Sequence, residues 1–501
     1  MFSLKRFFLP ALLLLGFSFH GFAQETEVNK HPSEWYEEGL ELHKKELYGP
    51  SNKMFRQYIQ EADDEQKAQK AQMFVLINNL ELNHKNAASE LDLFIRKKGQ
   101  NNETNYASFA LADYYFQKRK YRRAARLFDK VDVSNLPVEY WEEANFKMGY
   151  SYMMAKKYDQ AKPLLNKIRN KPGKYYVEAN YYYGYIAYVQ KDYNLALKTF
   201  DKIKGKGPQI MNLYIAQIYY AQKGYQQSID HINASKTEKY QKDFDLLMAK
   251  AYFQLDNYTK AAEYFDKVGV MDDNLSPEDI WQMAFTHYQN KDYVAAHPLY
   301  VKITGEETGL GQLANYQLGE CFIHLDKKQN AMNAFASAKS STFNPEITEI
   351  AHFNYAKLAF ELGHQNLALK STQSFIDKYP KSEFTDPAKG MLAEMLLNTK
   401  NYDLAIKILE EIRNFNPQTR MVYQKITYLR GEQEMDVKGY NRAEAFFKKS
   451  LKYNDDPLLK AQAYFWLGEI DYKRKNYGGS IQNYNRFLAG SSAGKSKYFL
   501  T

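Results

Sequence analysis

Cysteine is nearly missing from this chain. Cys321 is the single one in 501 residues, which excludes an intrachain disulfide and any metal cluster built from cysteines. Charge of one sign is also scarce: 68 Lys and Arg face 59 Asp and Glu, a net +9 to which Lys5 and Arg6 contribute two. The two signs are interleaved, which reads as solvated helix faces and not as a basic stripe for nucleic acid. Strand-type alternation is absent throughout. Long apolar runs are missing beyond the first 23 residues, so no later segment is suited to cross a membrane.

Residues 1–23 have the composition of a secretory signal. Lys5 and Arg6 open it, Phe7 to Phe19 forms an apolar stretch interrupted by Pro10, and Gly21-Phe22-Ala23 supplies a small-x-small cleavage site. That stretch is short for a bilayer, which needs ~20 apolar residues. The expectation is an exported chain, periplasmic or associated with the cell envelope, with no transmembrane segment once the signal is cleaved. No cysteine sits at the cleavage site to carry a lipid.

What is present is a repeat. An aromatic residue, a small residue three later and a large apolar residue four after that recur, as in Tyr121-Ala124-Phe128, Tyr158-Ala161-Leu165, Tyr193-Ala196-Phe200 and Tyr440-Ala443-Phe447. The small residues fall at 51, 87, 124, 161, 196, 228, 261, 296, 331, 368, 405, 443 and 480. Offsets of three and four place all three residues on one helical face, and the small one lets a second helix approach. Twelve residues before it lies another small residue in most units, such as Gly149, Gly184, Ala249 and Gly431. Each unit therefore reads as two helices joined by a tight polar turn, such as Lys156-Lys157 or Asp256-Asn257. Pro208, Pro380 and Pro417 fall where a second helix should stop.

These residues resemble the tetratricopeptide repeat, a helix-turn-helix unit of about 34 residues. Gly149, Tyr152, Ala161, Leu165 and Pro172 fit it well, whereas Val75 and Asn78 of the second unit do not. The resemblance implies an all-α, right-handed superhelical solenoid of about thirteen repeats over residues 24–494, with 495–501 a tail or the start of a further repeat helix. Phe375-Ile-Asp-Lys-Tyr-Pro380 with Ser382 is similar to a phrase of exported bacterial repeat proteins, which coordinate outer-membrane assembly or cell-wall enzymes.

No reaction can be assigned. Ala489 to Ser496 approximates a phosphate loop, and Gly490 to Gly494 spells an esterase elbow, but both need a preceding strand where a helix is expected. Glu81-x-x-His84 and Glu361-x-x-His364 have di-iron spacing but lie about eight repeats apart, and the remaining histidines form no ligand set. The chain reads as a non-enzyme with no cofactor and no metal.

Binding is expected on the first helices. Counting the small residue of the first helix as position eight, positions five, nine and twelve share a face that resembles the concave lining of solenoids. These positions put forward Phe146, Tyr150, Tyr181, Tyr185, Tyr188, Tyr220, Trp281, Phe285 and Tyr288 as candidate partner-binding residues. Aromatics of this kind suit extended protein or peptide ligands, envelope proteins being the expected class; glycans are the alternative, and packing between adjacent first helices is the competing use. Farther along, position nine turns acidic at Glu394, Glu432 and Glu469, as it is at Glu320.

Overall fold

The computed structural model describes residues 31–99, 101–235, 239–269 and 275–499. The expected signal segment, 1–23, lies outside them. The described residues form twenty-six α-helices and no strand, which is the all-helical architecture that the periodicity requires. Contacts divide the chain into two units, 1–211 and 212–501.

Unit 1 holds five helix pairs: α1 (Pro32–Lys44) with α2 (Tyr48–Glu61), α3 (Glu65–Glu81) with α4 (Ala87–Lys98), α5 (Asn102–Gln117) with α6 (Tyr121–Phe128), α7 (Trp141–Met154) with α8 (Tyr158–Ile168), and α9 (Tyr176–Val189) with α10 (Tyr193–Asp201). The division falls within α11 (Ile210–Ala221), which pairs with α12 (Tyr225–Ala234). Unit 2 continues with α13 (Gln241–Gln254) and α14 (Tyr258–Val268), α15 (Pro277–Gln289) and α16 (Tyr293–Ile303), α17 (Gly309–His324) and α18 (Lys328–Ser340), α19 (Pro345–Glu361) and α20 (Gln365–Lys378), α21 (Thr385–Asn398) and α22 (Tyr402–Glu410), α23 (Pro417–Asp436) and α24 (Tyr440–Ser450), and α25 (Pro457–Lys473) and α26 (Tyr477–Leu488). From α1 to α10 and from α12 to α26 each helix packs on the next, and the first helices also touch one another in sequence from α1 to α9 and from α13 to α25. This is the packing of a tetratricopeptide-type stack.

The small residues explain the pairing. A Cβ added to Gly39, Gly184, Gly319 or Gly431 would stand within 2.6–2.8 Å of the ring of Phe55, Phe200, Phe335 or Phe447. The first helix thus lies directly on the aromatic of its partner, and those four rings are fully buried. Where the second helix carries Ser in place of Ala, its hydroxyl donates to the carbonyl beneath, as from Ser51 to Gly39 (2.8 Å), Ser228 to Ala216 (2.9 Å) and Ser480 to Gly468 (2.9 Å). A serine here fits the same close approach and satisfies its own hydroxyl.

Every turn inside a pair contains a residue with positive φ, for example Arg119 (57°), Lys156 (60°), Asp256 (54°) and Gly363 (75°), and the α3–α4 turn contains two, Asn83 (54°) and Asn86 (68°). That left-handed step reverses the chain within a few residues.

Candidate functional site

In unit 1 the first helices α1, α3 and α5 stand side by side, and the connector between α6 and α7 folds over them. Two short 3-10 turns, Val133–Asn135 and Val138–Tyr140, shape that connector. It is clamped at its base: Asn105 Nδ2 donates to the Asp132 carbonyl (2.9 Å), and the Asp132 amide donates to Asn105 Oδ1 (2.7 Å). The clamp delivers Pro137 and Tyr140 to the first-helix side. A cleft of about 370 Å³ results, lined by Tyr36, His43, Phe74, Tyr106, Pro137 and Tyr140, with Lys44, Lys70, Glu103 and Glu139 around them.

A hydrogen-bonded chain fixes these rings. Asn78, fully buried, donates to Ser51 Oγ (2.9 Å), which orients its carbonyl oxygen toward His43 Nδ1 at 2.6 Å. In its neutral form His43 thereby carries its proton on Nδ1, leaving Nε2 to face the Tyr106 hydroxyl at 3.5 Å. The Tyr106 hydroxyl donates to that of Tyr140 (3.3 Å). Phe74 stacks on Phe55, with centroids 5.2 Å apart, and meets His43 edge-on at 4.9 Å. Burial pushes the Tyr36 phenol up to about 12, moves Tyr106 further upward, and lowers His43. At neutral pH the cleft is therefore lined by uncharged rings with polar tips, and its charges sit at the margin, where Lys70 and Glu103 are 3.9 Å apart. Such a surface suits an amphipathic side chain and offers no nucleophile with an adjacent base.

Beyond the cleft lies a buried ion cluster. Lys147 of α7 contacts Asp113 of α5 and lies 2.5 Å from Glu143. Burial opposes its charge, but the two carboxylates outweigh burial and hold its pKa above the usual value. Glu81 of α3 is shifted upward by burial and by Asp113.

The predicted site residues follow. Phe146 stacks on Tyr175 (4.4 Å) and is only 8% exposed. Tyr150 is half-buried between Phe116, Tyr121 and Tyr182, with centroids 5.6, 5.1 and 4.8 Å away. Tyr181 leans on Tyr182 (4.9 Å) and toward Phe200, while Tyr185 and Tyr188 lie 6.4 Å apart, half-buried. In unit 2, Tyr220 packs on Tyr225 (5.3 Å). Trp281, Phe285 and Tyr288 form a half-buried shelf: Trp281 stacks on Phe285 (5.2 Å) and donates its Nε1 proton to Gln317 (2.7 Å). The structure thus gathers Phe146 with Tyr150, Tyr185 with Tyr188, and Trp281 with Phe285 and Tyr288. It turns Tyr181 and Tyr220 toward their own pair.

Sequence reasoning missed the cleft. Tyr36 and His43 occupy positions five and twelve of the first unit, so the same offsets would have found them. Tyr106 at position two and Tyr140 in a connector carry no repeat signal.

A second arrangement lies in unit 2, where residues 489–499 fold back on α25. Tyr498 stacks on Phe465, with centroids 4.5 Å apart and planes 4° from parallel, and its hydroxyl donates to Glu432 (2.7 Å). Lys497 reaches the same carboxylate at 3.3 Å. Phe465 and Glu432 occupy positions five and nine of their units. A short 3-10 turn, Ala493–Lys495, is followed by turns over 496–499, and no further α-helix begins among these described residues. Glu469, another of the acidic positions, accepts the Tyr484 hydroxyl.

Glu361 pairs with Lys328 (2.8 Å) and His364 lies 3.3 Å from Gln329. Among the described residues no group of three or more His, Cys, Asp or Glu could hold a metal ion, and no helix is long and apolar enough to cross a membrane. Cys321 is fully buried, and burial pushes its thiol up to about 12.

The family comparison agrees with the repeat architecture. The model of the tetratricopeptide repeat matches residues 143–173 and 351–382, which span the α7–α8 and α19–α20 pairs. No curated protein matches the chain. Among solved structures, a chain of Naa15/Naa10 bound to HypK-THB is similar at 9% identity and a TM-score of 0.38, covering 92% of this chain and 80% of that one.

Proposed function

We propose that this tetratricopeptide-type protein is a non-catalytic scaffold of the bacterial cell envelope that holds protein or peptide segments against its first-helix faces. Residues 1–23 direct its export, and the unit 1 cleft is the anchor point. One observation carries the reading: the protein already holds a segment of itself in this way. Tyr498 lies flat on the position-five ring Phe465, and its hydroxyl is taken by the position-nine carboxylate Glu432. An aromatic side chain from an extended partner can use the Tyr36, Phe74, Tyr106 and Tyr140 rings likewise, with low rotamer cost and a polar tip to satisfy. Most partner-binding energy is then concentrated in a few rings and not spread along the stack.

The test is affinity capture from envelope extracts with the full chain as bait, followed by titration of the recovered segment. Substituting Tyr106→Ala and Tyr140→Ala together should weaken capture at least about tenfold, the loss expected for one or two interface anchors. Unchanged capture by a folded double variant would refute the site.

A glycan is the second reading, favoured by Glu103 and Glu139 standing beside the Tyr106 and Tyr140 rings. Calorimetry against cell-wall fragments decides it: saturable heat supports a sugar ligand, and its absence removes one.

A further inference from the structure

The turns inside the pairs of unit 1 form one edge. Lys118 in the third turn donates to Asn83 in the second (3.0 Å), and Lys162 at the start of α8 donates to Gln190 in the fifth (3.0 Å). This edge gathers charge that is dispersed in the sequence. Residues 45–47, 82–86, 118–120, 155–157 and 190–192 hold eight Lys or Arg and two Asp or Glu. The connectors at the opposite helix ends, 62–64, 99–101, 129–140, 169–175 and 202–209, are nearly balanced, with seven against five.

Backbone geometry does not account for these residues. A left-handed turn position favours Gly, Asn or Asp, yet three of the six in the unit 1 turns are Arg119, Lys156 and Lys191. All three are exposed, and among the described residues none of the three forms an ion pair, whereas the neighbouring Lys157 pairs with Asp129 (3.2 Å). A cation there complements the C-terminus of the preceding helix, an effect of only ~0.3–1 kcal/mol that salt screens. That effect offers no reason for what sits beside them. Large apolar side chains project from, or from the helix residue just before, four of the five turns: Leu47 is 48% exposed, Leu82 40%, Met154 44% and Val189 38%.

Basic and apolar side chains alternating along one solvent-facing edge match a particular chemistry. Lysines attract an anionic surface, and neighbouring apolar groups enter the boundary between headgroups and acyl chains. A nucleic acid would use the charges and leave Leu82, Met154 and Val189 in water. We propose that the turn edge of unit 1 docks on an anionic lipid surface, leaving the first-helix side turned toward other partners. The turns of unit 2 show the same pairing of residue types, with Val437 68% exposed beside Lys438.

The full chain, parent and variants, is tested by co-sedimentation with vesicles of phosphatidylcholine alone or with about 30% phosphatidylglycerol, which supplies the negative surface. The apolar stretch at residues 7–19 is common to all proteins and cancels in the ratio of the two affinities. The parent should favour the anionic vesicles by at least about tenfold, and the preference should fall in about 0.5 M salt as screening shortens. Arg119→Asn, Lys156→Asn and Lys191→Asn together should abolish the preference. Because asparagine suits the left-handed backbone, this variant should melt no lower than the parent. Leu82→Ser, Met154→Ser and Val189→Ser together should weaken anionic-vesicle binding at least about fivefold with all charges intact. No preference in the parent would overturn the proposal. A preference that survives the asparagine changes, or is indifferent to the serine changes, would do so too, the latter by showing a general polyanion surface.

Discussion

In unit 1 the first-helix side carries Tyr36, Phe74, Tyr106 and Tyr140 around a cleft open to solvent, whereas in unit 2 the same side of α23 and α25 is covered by the chain's own residues 495–499. Both regions use position five for a ring, Tyr36 in one and Phe465 in the other. They differ in what answers it. Over α25 a carboxylate, Glu432, accepts hydrogen bonds from Tyr428 (3.0 Å) and Tyr498 (2.7 Å). In the cleft the polar atoms are tied into a neutral chain through His43 and Asn78. The repeat therefore fixes where a side chain stands and leaves open whether that place serves packing or capture.

The largest effect that would break this comparison lies beyond the unit 1 cleft, at the ion cluster between α5 and α7. Lys147→Met leaves Asp113 and Glu143 facing each other without their cation, at 16% and 32% exposure. Removing one member of a buried ion cluster costs about 3 kcal/mol or more. Chemical denaturation should show a loss of that order with an early transition confined to unit 1; an unchanged midpoint would mean that the cluster is not structural.

A smaller effect sharpens the contrast between two histidines of first helices. Burial among Phe375, Tyr379 and α20, with Lys339 and Lys378 nearby, pushes His352 down to about 4, while His43 at the cleft is lowered chiefly by burial. For His352 the unfolded state binds the proton first as pH falls below its ordinary value near 6.5. Its contribution to stability is thus full above that pH and is lost as pH drops toward 4, by up to about 3 kcal/mol. His352→Gln should flatten the stability profile of unit 2 between those limits. An equally steep profile in the variant would assign the acid sensitivity elsewhere.

Much of the fold was legible because its cause is local. The spacing of Tyr121, Ala124 and Phe128 reports one helical face, and Gly431 under Phe447 reports one close approach; neither needs information from distant residues. The cleft was not legible for the opposite reason. Asn78 looks like a failed core position when judged by the repeat, yet it is the buried hub that orients His43. Tyr140 reaches the cleft only because Asn105 clamps a connector twenty-seven residues farther along. Charge was hidden in the same way: Lys156 and Lys191 are thirty-five residues apart and look interleaved with acids until folding puts their turns on one edge. The tail reading shows the reverse, since nothing in Lys497-Tyr498-Phe499 announces that it returns to Phe465.

Tyr498→Ala removes a stacked ring and one hydrogen bond to a carboxylate, so unit 2 should lose about 1–2 kcal/mol. Hydrogen exchange should quicken in α25 and leave α1–α5 unaffected. Faster exchange in both regions would imply that the tail supports more than the face it covers.

The smallest effect on stability is expected where the effect on binding is greatest. Tyr140 is half-buried, sits in a connector and accepts a hydrogen bond from the Tyr106 hydroxyl. Tyr140→Ala should cost the fold less than about 1 kcal/mol, because the Asn105 clamp holds the connector without it. The same change removes one wall of the cleft, and a docked aromatic side chain would lose its facing ring. Capture should fall about tenfold, while Tyr140→Phe, which keeps the ring, should restore most of it. If Tyr140→Ala instead lowers stability as much as Tyr498→Ala does, the two regions are alike, and the rings around the cleft belong to the core.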